Sequence, residues 1–521
     1  MHVNLFKQLP ALAAAGLLAA ALATPAGAAP AAANAPAAAA APHAAASAPN
    51  IVMLMTDDLD MSVWQNALDR GLLPRIQADI INHGTTFDNM FVALSVCCPS
   101  RTSYLTGQYP HNHGVIRNNG GHGGFQHFDN DGSALPVWLK KAGYRTGLLG
   151  KYLNGYGHTP KDMHGAYIPP GWDTWWALFG AGQYDYTLSN QGVSEHHGHD
   201  PADYQTDVLS AQAVNFLKST DPRPFFLTLT PTAPHYEGSQ DNDDDGGLVR
   251  APDRYLDTPP LATIPPEALA SYNEADMSDK PAWMRTIAPK DPVGERAGYN
   301  SKVAAMRAVD DLLGAVVDQL KASGQYANTM IIVTSDNGFQ YGTHRKDQKT
   351  DLYEESIRVP MVVHSPGQTL SRHVNSWVMN VDWAPTILEV AGATGNVDLT
   401  MDGVSFVPWL GNGSGQNRKS ILVEHPADNK YNADHPPYTM VRTHDPAITG
   451  DTSGKTIFVY AETLNAKNIL SDVEFYDFSV DPLQDASLQK SKDPKRRAQM
   501  TALHNLLLSL KNCVGTQCQR Y

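Results

Sequence analysis

Cysteine is scarce in this chain, with four residues in 521, and positive charge is in deficit, with 39 Lys and Arg against 53 Asp and Glu. The formal net charge of −14 argues against general affinity for nucleic acid, while leaving room for a local basic site that holds an anion. No segment beyond the first few dozen residues is long and apolar enough to form a stable membrane span. No internal repeat is visible. Cys513 and Cys518 flank Val514-Gly515-Thr516-Gln517, a turn-like spacing that suits a small disulfide in an oxidising compartment. Metal binding by this pair is the weaker alternative, because no second Cys or His pair accompanies it. Cys97 and Cys98 are left over, and a bond between adjacent cysteines is strained, so their purpose lies elsewhere.

What the chain does have begins with an export signal over residues 1–28. Lys7 supplies a modest positive start, Leu9 to Ala23 an apolar run broken by Pro10, and Ala26-Gly27-Ala28 a small-residue cleavage site. Residues 29–48 are almost all Ala and Pro, a composition that buries no core and reads as a linker. The mature protein is therefore expected outside the cytoplasm, secreted or periplasmic. With 42% hydrophobic residues the remainder is ample for a globular enzyme, and its length predicts a large domain with a smaller companion.

Short apolar runs recur at Ile51–Met55, Thr146–Leu149, Phe225–Leu229, Met330–Val333 and Met361–Val363. Bounded by Gly, Pro or Asp, they read as buried strands of a largely parallel sheet. Ala304 to Leu320 carries apolar residues at helical spacing and is expected to cover that sheet. The α/β domain is expected over 49–410. After the loop signal Gly411-Asn412-Gly413-Ser414-Gly415 the pattern changes. Strands at 420–424, 438–442, 455–460 and 474–478, then a helix from Pro494 to Leu510, predict a C-terminal subdomain, 411–521, with a small antiparallel sheet.

The stretch Leu94-Ser95-Val96-Cys97-Cys98-Pro99-Ser100-Arg101-Thr102-Ser103-Tyr104-Leu105-Thr106-Gly107 reads as a short helix. Pro99 suits its first position and Gly107 its end, so Cys97 stands at a mouth whose unpaired N–H groups favour negative charge. Arg101 lies one turn along, able to orient what Cys97 becomes or holds. The plain alternative is a buried cysteine pair ahead of an ordinary helix, since reactivity depends on environment. Two strand ends carry matching chemistry, Thr56-Asp57-Asp58 and Thr334-Ser335-Asp336-Asn337-Gly338. Ligands of open α/β sheets gather beyond such carboxyl ends. Adjacent carboxylates repel unless a cation binds between them, and three carboxylates with an amide oxygen suit calcium before magnesium. Asp-Asp and Asp-Asn-Gly are also common turn signals.

Together, Cys97-x-Pro99-Ser100-Arg101 and Leu105-Thr106-Gly107 resemble the signature of the type I sulfatases, whose motif cysteine is oxidised to formylglycine. The longer match through Gln108-Tyr109-Pro110-His111-Asn112-His113 resembles the branch holding N-acetylglucosamine-6-sulfatases and extracellular heparan 6-endosulfatases. Cys98 is the variable position of that motif and reads as a small packing residue. The resemblance implies an alkaline-phosphatase-like fold, a maturation step by a formylglycine-generating enzyme, and one calcium ion held by Asp57, Asp58, Asp336, Asn337 and the modified Cys97. It implies that Lys151 of Gly150-Lys151-Tyr152-Leu153-Asn154 contacts the sulfate. Leu153 stands where many members have a catalytic histidine, and Asn154 is the residue placed to take over part of that role. His235 of Ala233-Pro234-His235 matches the sulfate-contacting histidine, and Lys349, four residues before Tyr353, the active-site lysine. His344 of Gly342-Thr343-His344 is a neighbour, and Ser271–Trp283 also resembles the glucosamine-6-sulfatase branch.

By that resemblance, one hydroxyl of the formylglycine hydrate attacks sulfur and the other later expels sulfate. Arg101, Lys151, His235 and Lys349 surround the sulfate with positive charge, and Lys349 or His235 protonates the leaving alcohol. The expected substrate is a sulfated saccharide, foremost the 6-O-sulfate of N-acetylglucosamine, or an aryl sulfate. Rival readings are a broad arylsulfatase, a phosphonate or phosphate ester hydrolase of the same fold, and a calcium-dependent glycan-binding protein without turnover. Tyr152, Asn154, Tyr156, Trp172, Trp175 and Trp176 are candidates to stack on a sugar, although aromatics in such number are more often core. Asp241–Gly246 resembles half an EF-hand loop, but Pro252 stands where its bidentate Glu is required, and it reads as a solvated acidic loop. Glu195-His196-His197-Gly198-His199-Asp200 reads as a flexible His-rich surface loop, with transition-metal binding the alternative.

Overall fold

In a computed structural model of the chain, residues 48–237, 248–427 and 435–520 are described. The leader, nearly all of the Ala/Pro-rich linker and the acidic stretch 241–246 lie outside them. The central sheet takes β1 (Asn50–Thr56), β2 (Thr85–Phe91), β3 (Arg145–Gly150), β4 (Thr174–Phe179), β5 (Tyr186–Asn190), β6 (Val193–His197), β7 (Phe225–Thr230) and β8 (Thr329–Ser335). After a short hairpin of β9 (Gln340–Tyr341) and β10 (Asp347–Gln348) come β11 (Arg358–Val359), β12 (Met361–His364) and β13 (Arg372–Met379). Its spatial order is β11-β2-β12-β8-β1-β7-β3-β4-β5-β6, with β13 also paired to β2. The five strands β8-β1-β7-β3-β4 run parallel.

β1 shows why so apolar a run sits here. Ile51, Met53 and Met55 enter one hydrophobic cluster while Val52 and Leu54 enter the other, on the period of two expected of a strand covered on both faces. One face is covered by the 31-residue helix Pro292–Ala322, which opens with an Asp291 cap and Pro292, and lays Val303, Val309, Leu313 and Val317 against the sheet. The other is covered by helices Leu135–Lys141 and Trp383–Val390 through Trp138, Leu139, Trp383 and Ile387.

β14 (Ser420–His425), β15 (Tyr438–Thr443), β16 (Phe458–Leu464) and β17 (Leu470–Asp477) form the expected antiparallel sheet, closed by helix Pro494–Leu510. The strand expected at 455–460 starts later. Asp451 accepts the amides of Ser453, Lys455 and Thr456 in a turn, which takes 455 and 456 out of the ladder. Cys513 and Cys518 are bonded to each other. Among the described residues no helix is long and apolar enough to cross a membrane.

One expectation is corrected. The His-rich stretch is partly an ordered edge strand, β6, because Gln191 and Gly192 both take positive φ and close a two-residue hairpin with β5. Its imidazoles pair with Asp185, Glu195 and Asp203. Of the aromatics weighed as a sugar platform against a place in the core, Tyr152, Tyr156, Trp172 and Trp175 are in the core, packed edge-on or tilted against one another.

Candidate active site

Four parallel strands deliver their carboxyl ends to one place. β1 ends in Asp57 and Asp58, β8 in Asp336 and Asn337, β3 in Gly150 and Lys151, and β7 leads through Pro234 to His235. Gly150 has φ +122°, and a Cβ there would lie 2.1 Å from Thr230 O, so only glycine lets β3 turn so close to β7. Asp58 has φ +60°, a left-handed conformation that Asp tolerates better than most residues. It breaks the strand alternation that would otherwise send Asp57 and Asp58 to opposite faces.

Helix Cys97–Thr106 brings the fifth component. It starts at Cys97 itself, with Val96 extended, so Pro99 is its third residue and not its first. A missing N–H costs nothing there, because the amides of the first turn have no intrahelical partner. The amide of Cys98 instead donates to Asn118 Oδ1 at 2.9 Å. Gly107 closes the helix in a left-handed conformation, as expected.

Cys97 is fully buried, its Sγ donating to Asp57 Oδ1 at 3.4 Å while Lys349 Nζ donates to that sulfur at 2.9 Å. Lys349 Nζ also lies 2.6 Å from Asp58 Oδ1, and His235 Nε2 lies 3.6 Å from Asp58 Oδ2. Lys151 Nζ and Arg101 share Asp57 Oδ2, at 2.8 and 3.2 Å. Arg101 Nε donates to Asp336 Oδ2 at 2.8 Å and its NH1 to Lys151 O at 2.7 Å. The ligand atoms of Asp57, Asp58, Cys97 and His235 all lie within 4.8 Å of one another. Asp336 Oδ1 accepts the amide of Asp58 at 3.2 Å, which ties the two strand ends together.

Burial raises the carboxyl of Asp57, but Lys151 and Arg101 beside it hold it well below the usual range. Asp58 settles at about 2, burial again opposing and Lys349 prevailing. The Cys97 thiol is driven far up by burial and by the Asp57 carboxylate. Left as cysteine it stays protonated and is a poor nucleophile.

The donor set fits a hard cation. Asn337 Nδ2 donates to Asp58 Oδ1 at 2.6 Å and to Gly338 O at 2.9 Å, which leaves its Oδ1 buried without a hydrogen-bond partner. A buried acceptor of that kind is costly unless something fills it, and the carboxylate and amide oxygens of the set suit calcium.

Two other candidates stand apart. Asn154 packs beside Cys98, with its carbonyl accepting from the Phe125 amide. His344 Nδ1 is bound to Glu274 Oε2 at 2.7 Å and its ring packs, tilted, against Tyr353. Two residues of the site escaped the sequence reading. Asn118 gives no signal in a Gly- and Asn-rich loop. Lys302, fully buried, donates to Asp58 O at 3.0 Å. A signal for it existed, since it falls on the stripe Tyr299, Lys302, Met306, Val309, Leu313, where the other members are apolar.

The chain matches the sulfatase family over residues 49–393, and the family described as N-sulphoglucosamine sulphohydrolase, C-terminal, over residues 342–512. An arylsulfatase of Volvox carteri is 32% identical over 512 residues, covering 90% of this chain and 75% of the relative. The N-acetylglucosamine-6-sulfatase of Homo sapiens is 30% identical over 508 residues, covering 90% and 86%. A solved structure described as a complex with its substrate D-glucosamine-2-N,6-O-disulfate superposes with a TM-score of 0.66 at 22% identity, over 91% of this chain and 98% of that chain. That likeness is one of fold, the alkaline-phosphatase-like arrangement of a mixed, largely parallel sheet between helices.

Proposed function

Because this chain belongs to the sulfatase family, we propose that it removes the 6-O-sulfate of N-acetylglucosamine from sulfated saccharides, using formylglycine at position 97 and one calcium ion. The observation that carries the reading is Cys97 Sγ lying between Asp57 Oδ1 and Lys349 Nζ, at the strand ends where the carboxylates and cations converge. The formylglycine would supply a hydrated aldehyde as nucleophile on sulfur, and calcium, held by Asp57, Asp58, Asp336, Asn337 and residue 97, would supply charge for the sulfate oxygens.

The chain's own residues do the rest. Arg101 and Lys151 fix the Asp57 carboxylate from one side and leave it ionised. Lys349, within hydrogen-bond reach of the reacting side chain, is placed to donate to an oxygen bound there. His235 pairs through Nδ1 with Tyr236 O, so Nε2 is the nitrogen that faces the site. A proton for the leaving alcohol comes from Lys349 or His235, whichever the bound ester approaches. Burial of the whole set excludes water and strengthens each charge contact.

The preference for N-acetylglucosamine rests on the human relative at 30% identity and on the branch motifs at Gly150–Asn154 and Tyr109–His113. A broad arylsulfatase is the second reading, favoured by the Volvox relative at 32% identity. Comparing kcat/KM on N-acetylglucosamine 6-sulfate, galactose 6-sulfate, an aryl sulfate and the matching aryl phosphonate separates these. Preference for either competing sulfate removes the substrate reading alone, whereas preference for the phosphonate removes the sulfate-ester reading for this chain. The mass of the tryptic peptide holding residue 97 tests the modification, and a persistent thiol in the exported protein would favour a glycan-binding role without turnover. Residues 1–28 are proposed to direct export and 29–48 to link the leader to a catalytic domain, 49–410, and its C-terminal subdomain.

A further inference from the structure

Lys302 is a buried cation that the proposed chemistry leaves unused. It comes from helix Pro292–Ala322, on the face of the sheet opposite helix Cys97–Thr106, and has no exposed surface. Its Nζ sits 3.4 Å from the centroid of the Phe339 ring, with Tyr236 at 4.9 Å and Tyr341 at 5.7 Å. The hydrogen bond it makes, at 3.0 Å, goes to the backbone oxygen of Asp58. Two walls of this aromatic cage follow strand ends that carry a site residue, and the third, Tyr341, lies in β9. Tyr236 follows His235 and accepts from its Nδ1, and Phe339 lies two residues after Asn337. Tyr341 donates to Asp60, which in turn caps the helix starting at Met61. The helix is shaped for the contact, since a Cβ at Gly298, one turn before Lys302, would lie 2.4 Å from the Tyr236 hydroxyl.

We propose that Lys302 is a positioning residue for the cation site, holding the left-handed backbone of Asp58 so that the carboxylates of Asp57 and Asp58 face one ion. The inference rests on the calcium reading given above. An ammonium is a compact donor that desolvates at a cost, and three π faces around it offset part of that cost without competing for its hydrogen bonds. The donor is therefore spent on a carbonyl in a conformation that needs support (φ +60°). Two effects of removing it oppose each other. Loss of the tether loosens the ligand pair, whereas loss of a positive charge favours a bound cation. Partners of metal ligands typically change affinity by about ten- to a hundredfold, and positioning predicts that the loosening wins.

The test is calorimetric titration of calcium into chelator-stripped protein. Lys302→Met, close to lysine in length and volume, is expected to weaken calcium binding by about tenfold or more. Lys302→Arg, which keeps a donor and a charge, should recover most of the affinity. Turnover by Lys302→Met should be low at calcium levels that suffice for the parent protein and should rise as calcium is raised. Should Lys302→Met fail to fold, Phe339→Leu, which removes the nearest wall and keeps the lysine, is expected to weaken binding severalfold. Unchanged or tighter binding in the folded variants overturns the inference while leaving the calcium reading intact. If the parent protein binds no calcium, both fall.

Discussion

Truncating Asn337 separates a ligand from a structural residue. In the ion-free protein, Asn337→Ala removes a hydrogen bond to the Asp58 carboxylate, worth ~1.5–3 kcal/mol, and a neutral one to Gly338 O, worth ~1 kcal/mol. It also removes the buried Oδ1, an acceptor whose isolation costs ~1–3 kcal/mol. The gain offsets most of the loss, so the stripped variant should unfold within ~3 kcal/mol of the parent, a few degrees for so long a chain. On the calcium reading proposed above, the same oxygen becomes a ligand. Residues that only support a ligand change affinity by about ten- to a hundredfold, and a direct ligand should do no less. Above the dissociation constant the variant then forfeits ~1.4–2.7 kcal/mol of calcium-linked stability. Scanning calorimetry in chelator and in calcium reads both arms. A variant that loses stability equally in both, with its calcium shift preserved, would refute the reasoning and make Asn337 a structural residue.

Cys97→Ala is expected to abolish sulfatase turnover while Cys98→Ala keeps substantial activity in folded protein, and the reverse pattern in a kcat assay reassigns the modified position. Arg101→Ala strands the buried carboxylates of Asp57 and Asp336, so ion-free protein should lose ~3–5 kcal/mol in urea melts. A loss under 1 kcal/mol would mean that Lys151 and solvent suffice. His113 is held neutral by burial, its pKa pushed from 6.5 down to about 3, and its Nδ1 accepts the Val115 amide. The unfolded chain binds a proton below 6.5 that the folded state refuses until about 3, so this residue makes stability fall as pH falls through that window. His113→Asn, which keeps an acceptor and cannot be protonated, should flatten the slope of stability against pH there, and an unchanged slope contradicts the assignment.

The parts of the fold that could be read from the sequence are those whose burial is symmetric. β1, β3, β7, β8 and β12 are covered on both faces and appear as apolar runs, so the ends of β1 and β8, with Asp57, Asp58, Asp336 and Asn337, could be read from pattern, whereas Lys151 and His235 entered only through the family resemblance. β2 and β13 hid because polar Asp88 and Asn89, half-exposed, and exposed Asn375 interrupt them near the edge of the sheet. β6 hid because histidines pairing with Asp185 and Asp203 look like a solvated loop. Local spacing also says nothing about which distant group meets a buried charge. Lys302 is 244 residues from Asp58, and only the crossing of its helix beneath the sheet joins them. The same limit applies to His344, whose partner Glu274 lies 70 residues away.

All ten residues of helix Cys97–Thr106 are buried, and Cys97 itself offers neither surface nor thiolate. On the formylglycine reading proposed above, an enzyme that converts residue 97 must grip the surrounding peptide, so docking of this helix and oxidation of its first residue exclude each other. That reading makes the yield of converted protein a kinetic partition between docking and oxidation in each chain. A molecule that folds first is trapped in the thiol form, however much converting enzyme it meets later. Slowing the docking of the helix, by cooler growth or by a weakened contact such as Tyr104 on Trp383, should raise the converted fraction without touching the chemistry.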